Sequence, residues 1–423
     1  MQKAGFLTVR YGAYHHREVP PEDATLTHVG PGTPCGEYFR RFWQPVAFSH
    51  EVADLPIAIR ILGEDLVLFR DRGGRVGLLE RHCPHRGTSL EFGLPSERGI
   101  RCCYHGWLFD VDGTILETPG EPPDSTLKVR LCHGAYPALE HAGLVFTYMG
   151  PPDKRPELPR YDSFAIPGFR TVPGMKYYLP CNWLQVKENS MDPVHTAFLH
   201  TRVAGAQFTE AYGVLPELTF HESAIGMYYI ATRRMGENLW TRICDFMPPN
   251  AHQFPPNWED ATTEKDFGPA TATHWAVPVD DTNTMNIDVR HLSEHDARDP
   301  AKGAKAAFGQ MADRPYEERQ RLPGDYDAQT GQRPIARHAL EHLATTDRGV
   351  IMVRKLVRQG IEAVQRGEDP KGVLRKPEAM IRTYTQDTVK RVPTLADPEA
   401  ERAQQREFGR KVAANVFGGR PGA

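Results

Sequence analysis

The sequence predicts an α+β chain, with an N-terminal all-β domain followed by a C-terminal α+β domain in which helices cover a large antiparallel sheet. Three observations carry this. Residues 42–150 are dense in short β-type runs separated by turn residues. Four longer runs between residues 227 and 289 read as strands of one larger sheet. Helical spacing marks residues 182–189 and a segment that begins after Thr345-Thr346-Asp347. A length of 423 residues leaves room for two or three domains, and 40% hydrophobic content suffices to fill their cores.

In chain order, a Gly/Pro-rich stretch at residues 30–34 leads into the β-domain. Residues 66–70 and 76–79 flank Arg72-Gly73-Gly74-Arg75, a hairpin signal because glycine accepts the positive φ of tight turns. A second hairpin is expected at Asp112-Gly113, and residues 144–149 make a closing strand before Gly150-Pro151-Pro152 breaks the pattern. After the 182–189 helix, Pro193 cannot donate a helical hydrogen bond and should kink or restart the helix. Asp192 as N-cap with Pro193 in the first helical position would achieve this. Residues 227–233, 239–246, 271–277 and 285–289 are the sheet strands. Val350, Val353, Val357, Ile361 and Val364 lie on one face of the last strong helix, which Pro370 stops. Beyond Pro393 the chain is charged, then Gly-rich, and a frayed end is expected.

A formal charge of −3 gives no electrostatic reason to expect nucleic acid or an anionic membrane as partner, and small molecules fit better. No stretch approaches the ~20 apolar residues of a membrane span, so a cytoplasmic protein is expected. Seven cysteines without a framework of spacings suit a reducing compartment where thiolates bind metal. Cys35, Cys132, Cys181 and Cys244 are read as small buried hydrophobes.

Two metal-binding patterns stand about a hundred residues apart. The first is Cys83-Pro84-His85 with Cys102-Cys103-Tyr104-His105. Two thiolates and two imidazoles suit a Rieske [2Fe–2S] cluster, in which Cys83 and Cys102 hold one iron and His85 and His105 the other, raising the potential above that of an all-Cys cluster. Gly87 and Gly106 follow, and small residues let backbone amides approach the sulfurs. A Cys2His2 zinc site uses the same ligand types. Interleaving of His with Cys in both loops, and the second pattern downstream, favour the cluster. Cys103 replaces Cys102 if the second loop is read as Cys-x-His.

The second pattern is Glu188-Asn189-Ser190-Met191-Asp192-Pro193-Val194-His195, then His200. Two imidazoles and one more carboxylate make the 2-His-1-carboxylate face of oxygen-activating, mononuclear non-haem Fe(II). Five residues on an unbroken α-helix separate side chains by about 140°. The metal reading therefore predicts a bend near residues 198–200, or a helix that ends there.

The stretch Cys83-Pro84-His85-Arg86-Gly87 with Cys102-Cys103-Tyr104-His105-Gly106-Trp107 resembles the Rieske domain of the ring-hydroxylating Rieske non-haem iron oxygenases, large (α) subunit. The resemblance continues through Asn182-Trp183, Glu188-Asn189, Asp192, His195 and Phe198-Leu199-His200, then residues 275–281, and covers about residues 42–358. The phthalate-dioxygenase-like branch is the one suggested; Cys103 stands where that family usually has proline, which makes the loop less rigid. The resemblance implies an N-terminal extension over residues 1–41, a Rieske domain over 42–150, a catalytic domain of helix-grip, Bet v1-like form over 151–395, and a charged tail over 396–423. It implies Asp325 as third iron ligand, with Asp327 and Asp347 as competitors, the latter also an N-cap. It gives Asp192 the place between the two centres, accepting a hydrogen bond from His195 and, across a subunit boundary, from His105. Both this role and the N-cap can hold only if the two carboxylate oxygens divide between them. The implied partners are a ferredoxin or flavin/iron–sulfur reductase as electron donor, a small aromatic substrate, and further copies in a homotrimer or dimer of trimers, with O2 as co-substrate.

The reaction expected is hydroxylation of an aromatic or arene-bearing molecule, by ring (di)hydroxylation or oxidative N- or O-dealkylation. Phe208, Phe246 and Phe254 are candidates for an apolar pocket, and Arg233, Arg234 and Arg242 for a carboxylate, against plain core and local pairing. Arg81, Arg86, Arg98 and Arg101 form a docking patch for an acidic redox partner, unless Glu80, Glu91 and Glu97 neutralise it. The rivals are a Rieske electron-transfer protein without catalytic iron and a zinc-stabilised binding protein.

Overall fold

Turn chemistry sets the N-terminal sheets in a computed structural model that describes residues 7, 9–15, 18–203, 205–295, 309–376 and 380–417. Strands Glu64–Arg70 and Val76–Glu80 pair antiparallel around a turn where Gly74 takes φ +86° and the Asp71 carboxylate accepts the Arg75 N–H at 2.8 Å. In the second expected hairpin, Leu108–Phe109 pairs with Ile115–Glu117. A Cβ on Gly113, at φ +85°, would lie 2.1 Å from the His133 carbonyl oxygen, so only glycine closes that turn. Leu144–Tyr148 is the expected closing strand and pairs with Trp43–Phe48.

The four strands expected after residue 226 are Met227–Met235, Asn238–Met247, Ala272–Asp280 and Asn283–Ser293, all in one nine-stranded antiparallel sheet. Five further strands, Phe169–Leu179, Glu217–Glu222, Ala251–Phe254, Lys265–Pro269 and Gln386–Arg391, complete it. Two of them carry sequence signals that argue against strand. Phe169–Leu179 contains Pro173 and Gly174; Pro173 stays paired with Val289, and the register shifts before Lys176, where a bulge takes up Gly174 and Met175. Gln386–Arg391 opens with Gln386, Asp387 and Thr388, polar yet buried.

Helix Trp183–Ser190 is capped by Asn182, whose side chain accepts the Leu184 N–H at 3.1 Å. The same Asn182 donates to Thr27 O, and Trp183 Nε1 donates to Leu26 O, so the segment before the first sheet is tied to this helix. The Arg348–Gln365 helix buries the predicted valine and isoleucine face, with Gly360 packed against Tyr38. Asp347 stands at its N-cap position, but its carboxylate turns back to accept the Ala344 N–H at 2.6 Å. One apolar core runs through both halves of the chain, joining Phe42, Trp43, Phe146 and Tyr148 to Trp183, Trp275, Val277 and Val357. A smaller core beneath the first sheets holds Phe69, Ile100, Phe109 and the two motif cysteines, Cys83 and Cys102.

Two expectations need correction. The charged stretch beyond Pro393 is not a tail: Asp397 caps Ala400, Pro398 occupies the first turn, and helix Pro398–Ala413 buries Phe408 and Val412 against Ile230, Leu239 and Ile243, while the Gly-rich end expected to fray lies outside the described residues. Its remaining faces are charged, which hid the apolar stripe in the sequence. Cys132 is exposed, while Cys35, Cys181 and Cys244 are buried as expected. Among the described residues, no helix is long and apolar enough to cross a membrane.

Phe408→Ala should lower the stability of the chain by about 3 kcal/mol in chemical denaturation, because a buried aromatic is lost from the sheet face; a change near zero would mean that the last helix does not dock. A second expectation concerns His291, whose ring lies between the hydroxyls of Thr171 and Thr273 and whose pKa burial lowers to about 4. The unfolded chain takes up this proton near pH 6.5, before the folded one does, so stability should fall as pH drops from about 6.5 to 4, by on the order of 3 kcal/mol. His291→Gln should flatten that part of the stability–pH curve relative to wild type.

Candidate metal centres and cavity

The two Cys/His loops are built alike. The Cys83 N–H donates to Thr88 O and the Gly87 N–H to Cys83 O, both at 2.9 Å; the Cys102 N–H donates to Trp107 O at 2.8 Å and the Gly106 N–H to Cys102 O at 3.1 Å. Gly87 and Gly106 take φ of +76° and +73°, the left-handed turn that lets each loop close. Cys83 and Cys102 are buried, whereas Cys103 is exposed. His85 and His105 meet with ring centroids 4.5 Å apart, and His85 stacks on Trp107 at 4.8 Å. Burial pushes the Cys83 thiol up to about 11, the His85 and Arg86 amides pull it down, and neighbouring Cys102 raises it again. His85 Nδ1 is buried with no hydrogen-bond partner among the described residues. Two buried thiols beside an unsatisfied imidazole nitrogen are a costly arrangement for a metal-free protein and fit a cluster with mixed ligands.

The second pattern also converges. Helix Trp183–Ser190 ends, the chain restarts as one α-turn at His195–Ala197, and Phe198–Arg202 then winds as a π-helix whose i→i+5 bond runs from the Val203 N–H to Phe198 O. Wider winding closes the angle between His195 and His200, and their rings stand 5.0 Å apart. Asp325, first residue of helix Asp325–Thr330, supplies the carboxylate: its Oδ1 lies 3.4 Å from His200 Nε2 and 3.8 Å from His195 Nε2. Ligand atoms of the three residues lie within 4.8 Å of one another, which fits one metal ion.

Neighbours fix each donor. His200 Nδ1 meets Gln207 Oε1 at 2.8 Å, and His195 Nδ1 donates to the backbone carbonyl of Asp192. Both bonds leave Nε2 as the lone-pair nitrogen facing Asp325. Asn189 donates to Asp325 Oδ1 at 3.2 Å and Gln310 to Oδ2 at 2.5 Å; Gln310 in turn accepts the Tyr177 hydroxyl. Burial opposes ionisation of Asp325, but His200, His195 and Gln310 outweigh it and hold the carboxyl well below its ordinary value. Burial lowers His195, whereas at His200 the Asp325 carboxylate overcomes burial and raises it.

The competing acids lie elsewhere. Asp327 accepts the Gly324 N–H and pairs with Arg319 at 2.6 Å, and Asp347 is engaged with Ala344. Asp192 divides its oxygens: Oδ1 accepts the Val194 N–H at 2.9 Å, and Oδ2 stands 3.9 Å from His195 Nδ1. The direct bond expected from His195 to that carboxylate is made to the Asp192 carbonyl instead, because the tight turn before Pro193 brings the backbone oxygen closer.

A cavity of about 340 Å³ opens onto the three converging residues. Phe208, Phe254 and Arg242 are among its lining residues, with the Arg242 guanidinium donating to Pro255 O, Pro256 O and Asn257 Oδ1. Phe246 is fully buried core. Arg234 pairs with Glu401 of the last helix, and Arg233 is buried over Tyr212 and Trp240. On the surface near the cluster loops, Arg81 pairs with Glu91, Arg98 with Asp110 and Arg101 with Glu117, while Arg86 sits over Tyr104. Three of the four arginines expected to form a docking patch are thus neutralised locally. Sequence reading missed Gln207 and Gln310 and gave Asn189 no role within the quoted motif, because these amides carry no signal until folding brings them to the carboxylate and imidazoles.

Residues 42–137 match the Rieske [2Fe-2S] domain family. The chain is 47% identical over 382 residues to the tert-butanol monooxygenase / tert-amyl alcohol desaturase oxygenase subunit of Aquincola tertiaricarbonis, covering 83% of this chain and 79% of the relative. It is 41% identical to the phenoxybenzoate dioxygenase subunit alpha of Ectopseudomonas oleovorans, covering 88% and 92%. Among solved structures, the QL mutant of NdmA from Pseudomonas putida CBB5 with caffeine shares the fold at a TM-score of 0.61 and 20% identity, over 82% of this chain and 99% of that one. A converging 2-His-1-carboxylate set and duplicated Cys/His loops in a chain with these relatives admit one conclusion: it belongs to the Rieske non-haem iron oxygenases, as a large subunit of the phthalate-dioxygenase-like branch, an enzyme that uses a [2Fe–2S] cluster, a mononuclear iron and O2.

Proposed function

We propose that this oxygenase subunit hydroxylates an aromatic or arene-bearing small molecule, by ring (di)hydroxylation or by oxidative N- or O-dealkylation, with Cys83, His85, Cys102 and His105 holding the cluster and His195, His200 and Asp325 the iron. The observation that carries the reading is the aromatic-lined cavity that opens directly onto His195, His200 and Asp325. Its volume lies at the small end of ligand pockets, enough for one arene of modest size. The bound iron supplies the oxidising chemistry toward O2, and the chain supplies orientation. His195 and His200 present fixed Nε2 atoms, Asn189 and Gln310 pin the Asp325 carboxylate, and Phe208 and Phe254 set the apolar wall against which a ring can rest. Electrons come from a ferredoxin or flavin/iron–sulfur reductase. Asp192 would lie as a bridge between the centres of neighbouring copies in a homotrimer or dimer of trimers, a placement supported by the oxygen that it keeps near His195. A second reading, hydroxylation of a branched alcohol, is favoured by the 47% identity to a relative named for tert-butanol.

Iron-replete protein supplied with a compatible reductase and NADH should convert members of a panel of aryl acids, aryl ethers, N-alkyl anilides and tertiary alcohols. Formaldehyde in step with oxygen uptake identifies dealkylation, and ring diols without aldehyde identify dihydroxylation. Turnover of the alcohols alone would overturn the arene reading. In a separate measurement, Asp325→Asn should lower iron from about three to about two atoms per chain while leaving the visible spectrum of the cluster intact. A variant that keeps the third iron would remove Asp325 from the ligand set.

A further inference from the structure

Three tyrosines and one cysteine stand among the described lining residues of the cavity that opens onto His195, His200 and Asp325: Tyr177, Tyr212, Tyr229 and Cys244. Two of the phenols are committed to amides. The Tyr177 hydroxyl donates to Gln310 and accepts from Asn286, and the Tyr212 hydroxyl donates to Asn257 Oδ1 at 3.2 Å. Tyr229 faces a thiol instead. Cys244 stands directly across from it in the antiparallel pair Met227–Met235 and Asn238–Met247. Side chains in that register have Cβ atoms about 4.5–5.5 Å apart on one face of the sheet, here the face that looks onto the cavity. Tyr229 is 5% exposed and Cys244 2%, and the phenol hydroxyl reaches the sulfur as a donor. Tyr228, one residue earlier, belongs to the opposite face, where its ring stacks on Tyr384 with centroids 4.1 Å apart.

We propose that Tyr229 and Cys244 are a modification site, at which the two side chains join through a thioether between the Cys244 sulfur and a Tyr229 ring carbon ortho to the hydroxyl. The inference rests on the oxygenase reading only for placing the iron at His195, His200 and Asp325, so that O2 is used in the same cavity. A thiol enclosed beside an oxidising centre ordinarily climbs from sulfenic to sulfinic acid. A phenol in contact with it opens another course. Loss of one electron and one proton from Tyr229 leaves unpaired density at the ring positions ortho to the oxygen, and these flank the hydroxyl that the sulfur already meets. Sulfur adds there, and the second electron leaves with the ring hydrogen. One Cε–H and one S–H bond break, one Cε–Sγ bond forms, and the two electrons and two protons reduce O2 to hydrogen peroxide. The product ties the two strands together in the cavity wall and removes the thiol from further oxidation.

The test compares iron-replete holoprotein prepared anaerobically with the same protein after incubation with a compatible reductase, NADH, O2 and catalase, each digested with trypsin under reducing conditions. Trypsin leaves Tyr229 in the peptide 203–233 and Cys244 in the peptide 243–265. After O2, most wild-type chains should yield the two joined, at their summed mass less two hydrogen atoms; before O2 they should come apart, with Cys244 open to alkylation. Tyr229→Phe and Cys244→Ala should each abolish the joined species, and Tyr228→Phe should leave it at the wild-type yield. Asp325→Asn, depleted of the third iron, should lower the yield about tenfold or more. The visible spectrum of the cluster confirms that each variant is folded. Separate peptides from O2-treated wild type, whether Cys244 is then a free thiol or a sulfinic acid, overturn the proposal, as does a bond mapped to Tyr228 or an equal yield in iron-depleted Asp325→Asn. Failure of the oxygenase reading looks different: the joined peptide forms, yet no arene is turned over.

Discussion

A single carboxylate organises the catalytic half of this chain. Asp325 arrives on a short helix more than a hundred residues after His195 and His200, and it meets both imidazoles only because Asn189 and Gln310 hold its two oxygens. Each of those amides is tethered in turn, Asn189 by the buried Trp183–Ser190 helix and Gln310 by the Tyr177 hydroxyl on an edge strand of the large sheet, itself bonded to Asn286 of the neighbouring strand. The sheet, the first helix and the loop before residue 325 are thus coupled through one acidic group. The change of winding from α to π at Phe198 belongs to the same constraint, since a regular helix would turn one imidazole away.

Motifs with fixed local geometry were legible in the sequence. The duplicated Cys/His loops, the two glycine-closed hairpins and the amphipathic Arg348–Gln365 helix are each set by residues close in the chain, and the bend between His195 and His200 follows from five-residue spacing once both imidazoles are to meet one metal. What escaped was set by partners distant in sequence. Phe169–Leu179 carries a Pro-Gly pair that reads as a break, yet Gly174 is needed there because a Cβ would lie 1.7 Å from Asp288 Oδ1. Helix Pro398–Ala413 reads as solvent-loving tail because its apolar contact with the sheet is a narrow stripe around Phe408 and Val412. The choice of Asp325 over Asp327 rested on resemblance, and two residues of register decide whether a side chain faces the imidazoles or caps its own helix at Gly324.

The polar interior of the cavity follows a division of labour along the strands. Asp288 pairs with His274 and Arg290 at one end, and His195 and His200 engage Asp325 at the other. Lys187 and His252 lie on the wall without an acid of their own. Burying basic groups without an acidic partner costs stability.

The continuous apolar core has a consequence for how such proteins diversify. Trp43 and Phe146 from the electron-carrying half interdigitate with Trp275 and Val277 from the oxygen-using half, Asn250 donates to Gln44, and backbone amides of Leu62 and Gly63 bond to carbonyls at Pro278 and Val279. Swapping one half for that of a cousin would mean rebuilding the whole seam at once, whereas Trp43, Phe146, Trp275 and Val277 do not line the cavity beside His195, His200 and Asp325, whose wall can change without disturbing them.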